Sequence, residues 1–298
     1  MVSLDNIRDL SEGSRLKRFF AHPVRYIRAI THRLFFYRWT KKEWAVISPT
    51  FYGHSMHLLL PSSTDIYLTG GKSNPSEIRL ARFMIQNIKT DDNFLDVGAH
   101  YGYFSLLAAY LTGQSGRVVS FEAAPVTYSV LERNAAGIKQ MSCFNCIVAD
   151  TESVHKFYIF PNLYSEYNTM LPEQFDSAQW IDSNKPEEHD IKSVKLDNFF
   201  KRQNFYPDII KIDVEGAEYQ VISGMLSYLK SSDVIVAMEF LSADRHNEGH
   251  LKAAHLLFDL GYEAHSILET AALKKIECLE DYFAESEFDS DNIIFRKS

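Results

Sequence analysis

The chain has 298 residues, 46% of them hydrophobic, with 39 acidic and 31 basic side chains and a net charge of −8. That length and apolar content support a sizeable core with an extension, and three cysteines form no disulfide framework, an odd number that fits a reducing compartment. No apolar run approaches the ~18 residues of a membrane span, and the N-terminus "MVSLDNIRDLSEGSR" lacks the apolar stretch of a signal peptide, so the expected location is cytoplasmic.

The charge is unevenly spread. Residues 13–42 hold nine Lys/Arg and no Asp/Glu, which leaves −17 on the rest, nine below the overall −8. Leu16, Phe19, Phe20, Val24, Ile27, Ile30 and Leu34 recur at spacings of three and four, a helical period interrupted near Pro23. Residues 1–43 therefore read as a basic, aromatic, amphipathic segment. It fits the inner face of a membrane as a peripheral helix, a phosphate-binding arm, or a helix packed on the body with its cations paired to the acidic surface. The aromatics favour lipid over phosphate, and no nucleic-acid partner is expected.

Residues 44–74 read as a small β elaboration built from "WAVISP", "MHLLLP" and "DIYLTG". A helix then starts with Asn74 as N-cap, Pro75 at the first helical position and Glu77 placed for a capping box. From residue 75 to 298 strands and helices alternate. Strands are expected at "NFLDVG", "RVVSFE", "FNCIVAD", "DIIKID" and "DVIVAMEF", and helices at 102–112, 125–137, 215–229 and 249–260. An inserted β and loop element spans about 152–207, and "DNIIFRKS" forms a late edge strand. Near-continuous apolar strands imply a parallel sheet covered on both faces. The class is α/β, doubly wound, and its ligands belong at the carboxyl ends of the strands. Cys143 and Cys146 are three apart within a predicted strand, so they face opposite ways and read as buried strand cysteines rather than zinc ligands.

The first strand end is Asp96-x-Gly98-x-His100-x-Gly102, a turn where glycines admit close backbone approach and helix-start amides suit a carboxylate. Asp96 suits a ligand ammonium group. Glu122, at the end of the second strand and followed by Ala123, suits ribose hydroxyls, and Asp150, at the end of the third, suits an adenine amino group. Ribose, adenine and an amino-acid-like end fit S-adenosylmethionine (SAM) better than NAD, whose pyrophosphate favours G-x-G-x-x-G.

"FLDVGAHYGYFSLLAAYL", "GRVVSFEAAPVTYSVLERN" and "PDIIKIDVEGAEYQVISGM" together resemble the FkbM family of SAM-dependent methyltransferases, over about residues 75–298. The resemblance implies the class I methyltransferase fold, a Rossmann-like sheet of seven strands with "DNIIFRK" antiparallel, and O-methylation of sugar or polyketide hydroxyls. His100 stands where Asn is common in the family, and Ala123-Ala124 where Pro-Asn is frequent.

A hydroxyl acceptor needs a proton acceptor beside it. "KIDVEGAE" offers Lys211 and Asp213 on one strand face, with Glu215 at the following helix start, and the next strand carries Glu239 in an apolar run, followed by His246 and His250. The expected roles are Asp213 or His246 as base without a metal, Glu239 as orienter, and Lys211 as an acceptor contact, with Asp213 also beside the cofactor. Glu215 and the loop residues Tyr164, Glu166, Tyr167 and Asn168 would hold a carbohydrate or glycolipid acceptor. An O-methyltransferase of small secondary metabolites, an NAD-dependent oxidoreductase and a membrane-tethered scaffold are the competing readings.

Overall fold

The computed structural model describes residues 3–175, 180–286 and 288–297. Residues 176–179, inside the predicted insertion, fall outside the described residues.

The basic segment folds as short helices Leu4–Ser11, Arg15–Ala21 and Pro23–Thr31, a π-helical turn His32–Tyr37 and a last turn Arg38–Thr40. Ser3 and Ser14 cap the first two by accepting backbone N–H bonds from Asn6 and Lys17, each at 3.2 Å. Pro23 sits at the start of the third helix, where its missing N–H costs nothing.

A hairpin follows, β1 (Trp44–Pro49) antiparallel to β2 (Ser55–Leu60). "DIYLTG" is not its third strand. Thr64–Thr69 is helical and ends at Gly70 with φ of 81°, a left-handed stop that glycine adopts without strain. The helix Pro75–Asn87 starts as read, Asn74 Oδ1 accepting from the Ser76 N–H at 2.9 Å. Glu77 makes no capping box and pairs instead with Lys72, 3.1 Å away.

The remaining strands are β3 (Asn93–Val97), β4 (Arg117–Phe121), β5 (Met141–Phe144), β6 (Ile147–Val148), β7 (Val154–Ile159), β8 (Glu187–Val194), β9 (Ile209–Ile212), β10 (Ile235–Leu241), β11 (Tyr262–Ile267), β12 (Leu273–Lys275) and β13 (Ser290–Lys297). The central sheet runs β12-β11-β13-β10-β9-β3-β4-β5. It is the expected doubly wound arrangement, except that β13, read as an edge strand, lies inside the sheet, antiparallel to both β10 and β11, and the short β12 takes the edge as an eighth strand. Helices Pro75–Asn87 and Tyr103–Thr112 cover one face, and Leu196–Gln203, Glu218–Ser223 and Glu248–Asp259 cover the other. Leu95, Val97, Ile210, Ile212, Val236 and Met238 point to the second face, as strict alternation requires.

Two expected elements are broken, each for a local reason. "FNCIVAD" splits because Asn145 turns out of the strand and donates to the carbonyls of Glu122 and Ala123, both at 2.9 Å. Then β6 joins β8, which pairs with β7, as a separate small sheet. The helix expected over 215–229 starts later and divides into Glu218–Ser223 and Leu226–Ser231. A Cβ on Gly224 would lie 2.4 Å from the Ala149 carbonyl, and Asp197 accepts the Ser227 and Tyr228 N–H groups at the start of the second piece, both at 3.0 Å.

Candidate functional site

Alternation along β3, β9 and β10 puts Asp96, Lys211 and Glu239 on the sheet face opposite the Leu95 side, with Asp213 just past the end of β9. The register sets Asp96 beside Lys211. Asp96 is 1% exposed and Lys211 3%, with Nζ 3.6 Å from Asp96 Oδ1 and donating to Asp213 Oδ2 at 3.1 Å. Ser105, in the helix above, donates to Asp96 Oδ2 at 2.6 Å. The ammonium also lies 5.5 Å from the centre of the Phe104 ring. Burial works against the Lys211 charge, but the Asp213 and Asp96 carboxylates outweigh it and hold the ammonium above its ordinary range. Burial likewise lifts the Asp96 carboxyl, with Lys211 opposing.

These strand ends floor a cleft of about 650 Å³. Asp213, Glu215 and Glu239 come together in it, their carboxylate oxygens within 4.8 Å of one another. Asp213 is held below the usual carboxylate range because Lys211 outweighs burial. Glu239 is pushed well above it by burial and by the charges of Asp213 and Glu215, and Glu215 likewise by burial and Asp213. Burial and mutual repulsion thus disfavour charge on Glu215 and Glu239, while the Lys211 ammonium favours it on Asp213. Such a set of carboxylates also has the donor chemistry of a hard cation site.

Across the floor, Glu122 is buried, Oε2 accepting from the His100 N–H and Oε1 from the Ala124 N–H, both at 2.9 Å. Burial pushes its carboxyl up to about 7. Gly98 forms the turn with φ of 80°, and a Cβ there would lie 1.8 Å from the Asp213 carbonyl, so only glycine lets the two strand ends meet. His100 lines the wall with its Nε2 3.0 Å from Ser165 Oγ, and burial pushes its imidazole down to about 4, keeping it neutral.

Of the residues singled out in the sequence, Gly98, His100, Glu122, Ala123, Glu166, Tyr167, Asn168, Lys211, Asp213, Glu215 and Glu239 line this one cleft. Five do not. Asp96 lies beneath the floor, in contact with Lys211 and Ser105. Gly102 is behind the turn, where a Cβ would meet Leu131 at 2.6 Å. Asp150 is off the cleft, because the split strand leaves Cys146, Ile147 and Val148 to form that wall. Tyr164 stacks on Trp180 at 4.3 Å instead of facing the cleft. His246 is solvent-exposed in a left-handed turn, and His250 is fully buried, 3.1 Å from Glu218. Cys143 and Cys146 are half-buried free thiols that burial pushes up to about 12.

The pattern missed the opposite wall. Lys72 bridges Glu77 and Glu166, Asp65 Oδ2 accepts from the Ser73 N–H at 3.2 Å, and Asn74, Arg245, Asn292 and Arg33 also line the cleft. The one signal for Lys72 was a basic residue two positions before a helix cap.

A family described as "Methyltransferase FkbM domain" matches residues 96–264. Methyltransferase sdnD of Sordaria araneosa is 29% identical over 165 residues, covering 47% of this chain and 63% of that protein. Methyltransferase 1 of Beauveria bassiana is 27% identical over 152 residues, covering 45% and 59%. The matched part thus spans under two thirds of either curated relative. Among solved structures, Methyltransferase FkbM from Methylobacillus flagellatus KT aligns with a TM-score of 0.42 at 11% identity, over 79% of this chain and 52% of that one.

Proposed function

The chain belongs to the FkbM family of SAM-dependent methyltransferases, and on that premise we propose that it methylates a hydroxyl of a glycan or glycolipid presented at a membrane surface. The observation that supports this most is the cluster of Asp213, Glu215 and Glu239 at the strand ends, in which Lys211 pairs with Asp213 and favours its charged form. A hydroxyl laid there can give its proton to Asp213 while Glu239 orients it. The cleft's further polar lining, from Glu166, Tyr167, Asn168, Arg245 and Asn292, suits an acceptor with several hydroxyls.

The residues present fit the cofactor. The tight turn at Gly98 admits close approach, the buried Glu122 carboxylate retains lone pairs for ribose hydroxyls, and Phe121, Ile147 and Val148 provide an apolar wall for a base. Asp65 and Lys72 supply both signs of charge for an amino-acid end. When bound, the cofactor supplies an electrophilic methyl group on a sulfonium, so the protein's own contribution is positioning and proton removal.

Glu122 gives this reading a pH dependence. With its carboxyl at about 7, the charged form that accepts hydroxyl donors best grows as pH rises. Calorimetric SAM affinity is expected to tighten about tenfold from about pH 6 to about pH 8, and Glu122→Gln to flatten that rise. An unchanged slope in the variant removes Glu122 from the ribose contact.

The function itself is tested with methyl-labelled SAM, the purified chain and cell extract split into membrane and soluble fractions. Label in a carbohydrate-bearing lipid, absent with Glu122→Ala, is the expected result. Label confined to soluble small molecules moves the acceptor to secondary metabolites, and no labelled carbohydrate in either fraction overturns the glycan reading.

A further inference from the structure

The basic segment leaves an unusual amount of apolar surface uncovered. Trp39 is 80% exposed and Phe20 74%, and Leu16, Val24, Ile27, Leu34, Phe35 and Phe36 are each more than half exposed. Its inner side is well tied down. Ala29 and Tyr37 are buried, Arg25 donates to the Tyr67 carbonyl at 3.2 Å, and Lys41 donates to Asn184 at 3.0 Å. Lys17, Arg28, Arg38 and Lys42 are likewise exposed. Packing against the acidic body would pair these cations with carboxylates. Among the described residues, no ion pair joins a cation of residues 16–42 to any Asp or Glu.

We infer that this outer face docks on an anionic lipid bilayer and carries the mouth of the cleft to the lipid surface. The charge argues for the occupant: a segment with nine cations and no carboxylate over residues 13–42, on a protein negative elsewhere, is complementary to anionic headgroups. Protruding Phe and Trp side chains beside those cations are the composition of an interfacial helix, whereas a phosphate-binding arm has no use for eight exposed apolar groups. The connection to the cleft is direct. Arg33 lines it, and Tyr37 Oη accepts the N–H of Leu163, another lining residue, at 3.0 Å. A docked segment therefore holds the acceptor loop at the bilayer, which suits an acceptor anchored in lipid. That last step rests on the methyltransferase reading, and the docking does not.

Sedimentation with phosphatidylcholine vesicles, with and without phosphatidylserine, tests it without any substrate. The full chain is expected to partition at least about tenfold better onto the anionic vesicles, with the gain lost at raised ionic strength and in Arg28→Glu, Arg38→Glu. The triple variant Phe20→Ser, Phe35→Ser, Trp39→Ser is expected to lose binding while its circular dichroism is unchanged. Trp39 emission should shift to the blue on vesicle addition, a shift absent in Trp39→Phe. Equal partition onto both vesicle types overturns the inference. So does a dimer in sedimentation velocity that the triple variant abolishes, which would make a second copy the occupant, or salt-sensitive binding to nucleic acid without vesicle binding. SAM titration of the same preparation separates the two readings: SAM bound but no vesicle binding removes docking alone, and vesicle binding without SAM removes the methyltransferase reading alone.

Discussion

Asp213→Asn is expected to lower kcat by about 10²–10⁴-fold, the range of a positioned general base, while SAM affinity stays within about threefold. The substitution keeps the shape of the side chain and removes the carboxylate whose charge Lys211 favours. Glu239 and Glu215 are poor replacements, because burial and the neighbouring carboxylates both disfavour their charged forms. A neutral amide would relieve part of that repulsion and lower the Glu239 carboxyl, so some activity should return as pH rises. The acid limb of the pH profile would then move upward relative to the parent. His246→Ala is the matched control. The residue is solvent-exposed and outside the cleft, so full turnover is expected. Full turnover in Asp213→Asn, with a fall in His246→Ala, would return the base to the histidine and require the loop to close over the cleft.

The contrast between these two residues shows what the sequence could carry. Strand ends were legible because an apolar run that stops at a carboxylate is a local pattern; Glu122 and Asp213 were found that way, and Glu239 as a carboxylate set inside an apolar run. His246 lay in sequence just beyond such an end, but the loop turns it outward at a left-handed residue, a direction no short pattern encodes. Asp96 looked like a ligand group for the same local reason. Its true partner, Lys211, is set by strand register, which is fixed only when β3 and β9 pair. The wall formed by Lys72, Glu77 and Glu166 was illegible because Lys72 and Glu166 are 94 positions apart. Asp150 failed because the third strand broke at Asn145, an event driven by two side-chain hydrogen bonds to another segment. Local chemistry was readable, and pairings made across the fold were not.

Lys211→Met should produce the largest loss of stability, about 3–5 kcal/mol at neutral pH, since removing one member of a buried ionic group strands the others. For a domain of this size that is a fall of roughly 10 °C in Tm, read by differential scanning calorimetry. The pH dependence has a definite sign. In the parent, the raised Lys211 value means its contribution is fully present below the ordinary lysine range and is lost only as pH climbs through the higher folded value. Across mildly acidic to neutral pH it is constant. In the variant, Asp96 keeps its burial and loses the lysine that opposed it, so its carboxyl rises further. A protonated carboxyl is cheap to bury and a charged one is not. The deficit should therefore shrink as pH falls toward the carboxylate range and widen as pH rises. Adding Asp96→Asn to Lys211→Met should recover part of the loss at neutral pH and little in acid, because it removes a charge that is present only in the first case. A variant as stable as the parent at neutral pH would mean that Asp96 and Asp213 already share protons without Lys211. The charge on Asp213, and with it the assignment of the base, would then need another source.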